Sequence, residues 1–343
     1  MPRLKLTIAY VGTHYQGWQV QAWKNRPNPP TVQGEIERAL ADVVGRPVHV
    51  QGAGRTDSGV HADAQIAHCD VPEEKTRLDW VLALNTRLPH DIRVTDFAYV
   101  PDDFNACFSV VRKAYTYSLW LNRRYVPPRL YPFVWGCGPL DLDRLDAAIP
   151  FLVGEHDFAS MRNRGTDTRN SVRTVYSITR SSSPLPGQED MVLLRFESNG
   201  FLKQMVRNMV GLMVACGRGR FDPSAIPALL EAGDRRLAPV TAPPQGLTMT
   251  RTMDEWDGKA EPIRGNTLNG FKISVYDITE DPAGKEVYCG ELETDIDEDA
   301  LEFFNYFTTK AYKQSVERQT LKSTSSSRQL DVFSVTESAG DSV

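Results

Sequence analysis

Gly52-Ala53-Gly54-Arg55-Thr56-Asp57-Ser58-Gly59-Val60-His61-Ala62 is the stretch on which the reading of the fold turns. Its three glycines mark a loop with unusual backbone demands. Before it, Val48–Gln51 reads as a short strand. After it, Ala64–Asp70 alternates between polar and apolar residues, as a half-buried strand does. The loop between them offers a cation, two hydroxyls, a carboxylate and an imidazole at one tight spot. It is not a phosphate loop, because no Lys-Ser/Thr follows its last glycine and no helix pattern succeeds it. By spacing alone a plain hairpin loop describes it equally well.

Working outward, the flanking segments follow a regular order. Arg3–Tyr10 alternates as a strand. Gly12–Trp18 is a loop rich in rings and hydrogen-bonding groups, and Asn25–Pro30 is a connector. Thr31 suits an N-cap, followed by a helical stripe of Val32, Ile36, Leu40 and Val43. Beyond the central loop, Trp80–Asn85 reads as helix and Asp91–Phe97 as strand. The order strand, helix, strand, strand, helix, strand is the ferredoxin-like one.

A second pass begins near Pro101. Arg112–Trp120 is a strand carrying Tyr115, Tyr117 and Leu119 on one face. Asp141 caps a helix with the stripe Leu142, Leu145, Ile149 and Leu152. Ser171–Arg180 and Met191–Ser198 are strands, and Leu202–Val214 is an apolar helix. A short helix near Ile226–Glu231 and a strand near Leu247–Met253 close the pass. The expected fold is α+β: two ferredoxin-like (RRM-like) halves joined in one extended antiparallel sheet with a cleft across it. The expected division is 1–105, 106–252 and an acidic C-terminal extension, 253–343. In that extension Phe271–Tyr276 suits a strand, Asp297–Arg318 a helix with an aromatic patch, and the polar 323–343 disorder.

A chain of 343 residues with 41% hydrophobic content is long enough for two domains. No stretch is apolar enough to span a bilayer. Met1-Pro2-Arg3-Leu4-Lys5 leads straight into a strand, so no secretory leader is expected. Cys69, Cys107, Cys137, Cys216 and Cys289 are dispersed, which fits reduced thiols and a cytoplasmic protein. The net charge of −5 is unevenly placed. From Thr252 onward 9 Lys/Arg face 19 Asp/Glu, so the segment before it carries a net +5. A mildly basic body suits a polyanion, though a generic solvated surface has the same balance.

Three side chains could carry chemistry. Asp57 lies two residues after Arg55; a carboxylate beside a cation stays ionised, as a nucleophile or base must, but an Asp in such a turn also serves its own loop. Arg207 sits in an apolar helix, either paired with Asp57 or reaching solvent at the helix edge. Tyr115 could stack on a base, exchange a proton, or be one more sheet tyrosine. His61 and Asp63 with His68, Cys69 and Asp70 give no clear metal geometry. Ser58 with His61 and Asp63 lacks the surroundings of a hydrolase triad. No cofactor fingerprint is present.

Several of these segments together resemble the TruA family of tRNA pseudouridine synthases. Gly54–Ala62 is similar to that family's catalytic signature, and Tyr10–Gln19, Ala83–Val94, Asp102–Ser109, Gly154–Ser160, Met205–Gly211 and Ala242–Leu247 follow in family order. The resemblance spans roughly Leu4 to Arg251. It implies an isomerase (intramolecular transferase) that turns uridine into pseudouridine in the anticodon arm of tRNA, around tRNA positions 38 to 40. It implies Asp57 as nucleophile, attacking either the ribose or the base, and Arg207 as the cation holding it. It implies Tyr115 stacked on the target uracil, Arg55 displacing the base, and Thr56 and His61 contacting substrate. The reaction is redox-neutral, so neither cofactor nor metal is expected. The expected partners are tRNA and a second copy in a homodimer. Where the family motif reads Phe-His-Ala-Arg-Phe-Ser, this chain has Asn105 and Cys107 in place of the His and the Arg. That departure keeps open an alternative, a non-catalytic or altered-specificity RNA-binding member of the same fold.

Overall fold

The computed structural model describes residues 1–21, 27–163, 170–183, 185 and 187–254, and four short strands between 272 and 293. Strand β1 (Arg3–Tyr10) buries Leu4, Leu6, Ile8 and Tyr10 at alternate positions, as its pattern requires. Helix α1 (Val32–Val44) starts where the Thr31 hydroxyl accepts a hydrogen bond from Gly34 N. It ends at Gly45, whose φ of +83° is the left-handed conformation that glycine adopts without steric cost.

The strand expected at Val48–Gln51 is largely absent. Strand β2 is Gln51–Gly52 alone. Val48 and Val50 are buried, but side chains of α1 take the backbone groups a ladder would use. Val50 N donates to Glu37 Oε1 at 3.0 Å, and Gln33 Nε2 donates to Val50 O at 3.0 Å. Strand β3 (His61–Asp70) begins three residues earlier than its alternation suggests. Helix α2 (Trp80–Asn85) is capped by Asp79, and β4 (Ile92–Val100) closes the first pass.

The second pass opens with β5 (Val110–Trp120) and the two-residue β6 (Trp135–Gly136). The single helix expected after Asp141 is two: α3 (Leu142–Asp146) and α4 (Ile149–Leu152). Pro150 explains the break, because proline has no N–H to donate and its ring obstructs the preceding turn. Then come β7 (Gly154–Asp157), β8 (Val172–Ser182) and β9 (Met191–Ser198). Helix α5 (Met205–Gly217) starts three residues later than its apolar stripe, since Gln204 before it has φ of +61°. Helix α6 (Ile226–Ala232) and β10 (Leu247–Asp254) complete the pass.

The strands form one large, mostly antiparallel sheet in the order β4-β1-β3-β10-β5-β9-β8-β7, with β2 on β3 and β6 on β5. At its centre β10 runs parallel to β3 for two residue pairs, Thr248 with His61 and Met249 with Ala62. On its other side Met249 pairs with Tyr115, and Tyr115 with Phe196. This seam leaves one strand, β10, between the end of the 52–62 loop and Tyr115. One apolar core crosses it, with Leu6, Ile36 and Trp80 from the first pass and Leu194, Phe196 and Met209 from the second all fully buried. Each such side chain contributes roughly 1.5–3 kcal/mol on burial.

Met1–Pro262 forms one compact unit and Ile263–Val343 a second. In the second, Lys272–Ile273 pairs with Leu292–Glu293, and Ile278–Glu280 with Glu286–Tyr288. Of the strand expected over Phe271–Tyr276, the described part is Lys272–Ile273; the helix expected over 297–318 and the disorder over 323–343 lie outside the described residues.

Candidate active site

The 52–62 loop is held from several sides. Ala53 N donates to Ile66 O at 2.7 Å, and Ala53 O accepts from Lys113 Nζ at 2.7 Å. Gly54 O accepts from Gln65 Nε2 at 2.6 Å. Thr56 Oγ1 meets Tyr10 OH at 2.8 Å, and Thr56 O accepts from Trp18 N at 3.1 Å. Ser58 Oγ donates to Tyr15 O at 3.1 Å. Gly17 allows the close approach: with φ of +84°, a Cβ there would lie 2.5 Å from Thr56 O.

With the loop fixed, Asp57 faces Arg207 of α5. Arg207 Nη1 donates to Asp57 Oδ2 at 2.9 Å, and Arg207 Nε donates to Ala242 O at 2.8 Å. The side chains are 11% and 25% exposed, so the pair lies at the bottom of a cleft and is not sealed in the core. A charge-assisted bond of this kind keeps the carboxylate aimed. The cleft, about 960 Å³, is lined by Arg55, Thr56, Asp57, Tyr115, Phe201 and Arg207 among others. Tyr115 meets Phe201 edge-to-face at 5.2 Å. Burial holds its phenol well above the ordinary tyrosine value, with Tyr10 and Asp57 adding to the shift. It therefore presents a neutral ring and hydroxyl to an occupant. Arg55 is exposed at the cleft.

Asp57, Tyr115, Arg207, Arg55 and Thr56 thus converge, but His61 does not join them. It is 3% exposed, its Nδ1 accepts from Gly12 N at 3.1 Å, and its Nε2 donates to Pro132 O at 2.9 Å. Both ring nitrogens are engaged by backbone, so His61 anchors the loop's end and has none left for substrate. Burial lowers its basicity and keeps it neutral. With His61 and Ser58 both committed elsewhere, a hydrolase triad has no geometry here. The metal reading fails similarly. His68 Nδ1 accepts from Ala106 N, Asp70 pairs with Arg3, and burial pushes the Cys69 thiol up to about 12.

Asn105 acts in its own turn. Its Oδ1 accepts from Cys107 N at 2.9 Å and from Gln51 Nε2 at 3.2 Å. Cys107 is exposed and lines the cleft. The residues missed in the sequence are the loop's supports, Tyr10, Gln65 and Lys113. For Lys113 a signal existed, since it lies two residues before Tyr115 and so on the same strand face.

An ion-paired carboxylate in a cleft lined by Tyr115 and Phe201 is an arrangement that can support nucleophilic or acid–base chemistry. Comparison with known proteins makes this specific. Residues 6–109 and 148–252 match the family described as tRNA pseudouridine synthase, which includes Asp57 and Arg207, while Tyr115 falls between the two stretches. The tRNA pseudouridine synthase A of Nitratidesulfovibrio vulgaris is 52% identical over 274 residues, covering 73% of this chain and 99% of that protein. Its counterpart from Lawsonia intracellularis is 52% identical over 253 residues, covering 73% and 98%. That from Coxiella burnetii is 40% identical over 248 residues, covering 72% and 91%. The chain belongs to the tRNA pseudouridine synthase family. Among the described residues no helix is long and apolar enough to cross a membrane.

Proposed function

We propose that this member of the family, an isomerase acting on uridine in tRNA, modifies the anticodon arm, around tRNA positions 38 to 40, with Asp57 as nucleophile. The observation that carries the reading is the Asp57–Arg207 contact of 2.9 Å on the floor of the cleft that Tyr115 walls. The C1′–N1 bond of the target nucleoside breaks, the uracil turns, and a C1′–C5 bond forms. C5 loses a proton and N1 gains one, so the atoms balance without an oxidant or reductant. Asp57 forms the covalent link that keeps the parts together while the base turns. Arg207 keeps the carboxylate aimed. Tyr115 stacks on the uracil, and Arg55, at the cleft mouth, helps displace the base from its stem. Extruding a base costs a few kcal/mol, which contacts to the flipped base and the RNA backbone offset.

We read the body as two ferredoxin-like halves, 1–105 and 106–252, followed by the acidic 253–343. In each half the first strand lies between the last strand and the one before it, β4-β1-β3 and β10-β5-β9, which supports this. The working unit we propose is a cytoplasmic homodimer with tRNA lying across both subunits.

Incubation with tRNA tritiated at C5 of uridine tests the function. Wild type is expected to release tritium, and Asp57→Ala to release none while still binding tRNA. Tight binding by wild type with no release from any anticodon-arm substrate would favour a non-catalytic RNA-binding member, the alternative that Cys107 in the cleft keeps in view.

A further inference from the structure

Beside Arg207 lies a polar network that the proposed chemistry does not use. It begins at Gln204, the one non-glycine residue with positive φ among the described residues. A side chain rarely adopts that backbone, and such outliers persist where surrounding structure enforces them. Here the Gln204 side chain accepts a hydrogen bond from Asn163 Nδ2. Asn163 Oδ1 accepts in turn from Asn208 Nδ2 at 3.1 Å and from Arg235 Nε at 3.0 Å.

Arg235 is the centre of the network. Its Nη2 donates to Asn208 Oδ1 and to Thr241 Oγ1, both at 2.9 Å. Its Nη1 donates to Ala238 O at 3.1 Å and to Pro239 O at 2.9 Å. Thr241 Oγ1 closes the ring by donating to Asn208 Oδ1 at 2.7 Å. A guanidinium has five N–H donors, and all five are engaged by neutral oxygens. None remains for an RNA phosphate, so the task of this cation is internal.

The two side chains that Arg235 grips flank the catalytic support. Asn208 follows Arg207 in the chain, and Thr241 precedes Ala242. Between them Ala242 N donates to Arg207 O at 3.0 Å, while Arg207 Nε donates to Ala242 O at 2.8 Å, leaving Nη1 for Asp57. We infer that Arg235 is a positioning residue: by clamping Asn208 to Thr241 it fixes the Arg207–Ala242 pair and thereby aims Arg207 at Asp57. Lysine cannot replace it, because an ammonium has three donors on one atom and cannot span both partners.

The inference rests on Asp57 being the nucleophile, and its test separates the two. Tritium release from C5-labelled tRNA is measured for wild type, Arg235→Lys, Arg207→Lys and the double variant, with tRNA binding and thermal midpoint alongside. Arg235→Lys is expected to lower kcat by about 10-fold or more, since small displacements of a positioned group cost rates of that order, with KM nearly unchanged. The double variant is expected to be no slower than Arg207→Lys alone. Multiplying effects, or a loss confined to KM, would overturn the inference. If Arg235→Lys fails to fold, Thr241→Val removes one link of the clamp and must lower kcat in the same direction. If wild type releases no tritium, the isomerase reading is the one that fails. A crystal structure of Arg235→Lys then decides the clamp: an Arg207–Asp57 contact still at 2.9 Å overturns it, and an opened one supports it.

Discussion

Asp57 owes its setting to residues that local sequence does not connect to it. Its partner Arg207 lies 150 positions away. His61, a substrate contact by resemblance, is held by the backbone of Gly12 and Pro132. Its burial favours the neutral ring and outweighs the Pro132 carbonyl, which favours the charged one, so its folded-state pKa lies below the ordinary 6.5. The unfolded chain therefore binds the proton more readily. The stabilisation is fully present above about pH 6.5 and is lost as pH falls through the lower folded value. His68, also lowered by burial, adds in the same sense. Urea midpoints are expected to drop between pH 7.5 and 5.5, and to drop less in His61→Gln; a wild-type midpoint flat across that window would contradict this.

At the scale of elements, most of the pattern was legible. Alternation at Leu4, Leu6 and Ile8 and the stripe Val32, Ile36 and Leu40 mark the strand and helix found there, because one buried face imposes the period of its backbone. Val48–Gln51 has the same local look, yet Gln33 and Glu37 claim Val50's backbone groups. Helix α5 shows a constraint of another kind. Gly211 faces the chain that leads into Thr241 and Ala242, and a Cβ there would meet Val240 O at 2.0 Å. Gly211→Ala is expected to destabilise the fold by about 1–3 kcal/mol, as overpacking a close contact does, and to weaken activity by pushing Ala242 from Arg207. Denaturant unfolding with m unchanged and a lowered midpoint would check it.

For the whole molecule, the seam between β3 and β10 decides the architecture. Two residue pairs bring the end of the loop, at His61 and Ala62, against β10, whose other edge pairs with the strand that holds Tyr115. β10 also ends in a buried ion pair, Lys5 Nζ with Asp254 Oδ2 at 3.0 Å, which ties the last strand to the first. The acidic segment should therefore be divided after Asp254. A chain ending at Asp254 is expected to keep tritium release within about twofold of full length, because the cleft residues among the described ones all precede that point. One ending at Arg251 loses Asp254 beside Lys5, and breaking a buried pair costs about 3–5 kcal/mol. Comparing their melting temperatures and release rates tests both statements.

By itself the sequence determined most of the order of strands and helices, though not β6, β7 or the break between α3 and α4, together with the loop at 52–62, the basic body with its acidic end, and the family. Each follows from local periodicity, composition or contiguous motif. What only the tertiary structure decided is the 2.9 Å geometry of the Arg207–Asp57 pair that the resemblance implied, and which other distant groups meet: Lys113 with Ala53, and Arg235 with both Asn208 and Thr241. It also decided that His61 lies beneath the loop and not in the cleft. The physical reason is that a buried polar group must find a partner wherever the fold provides one, and that choice depends on chain segments far apart in sequence.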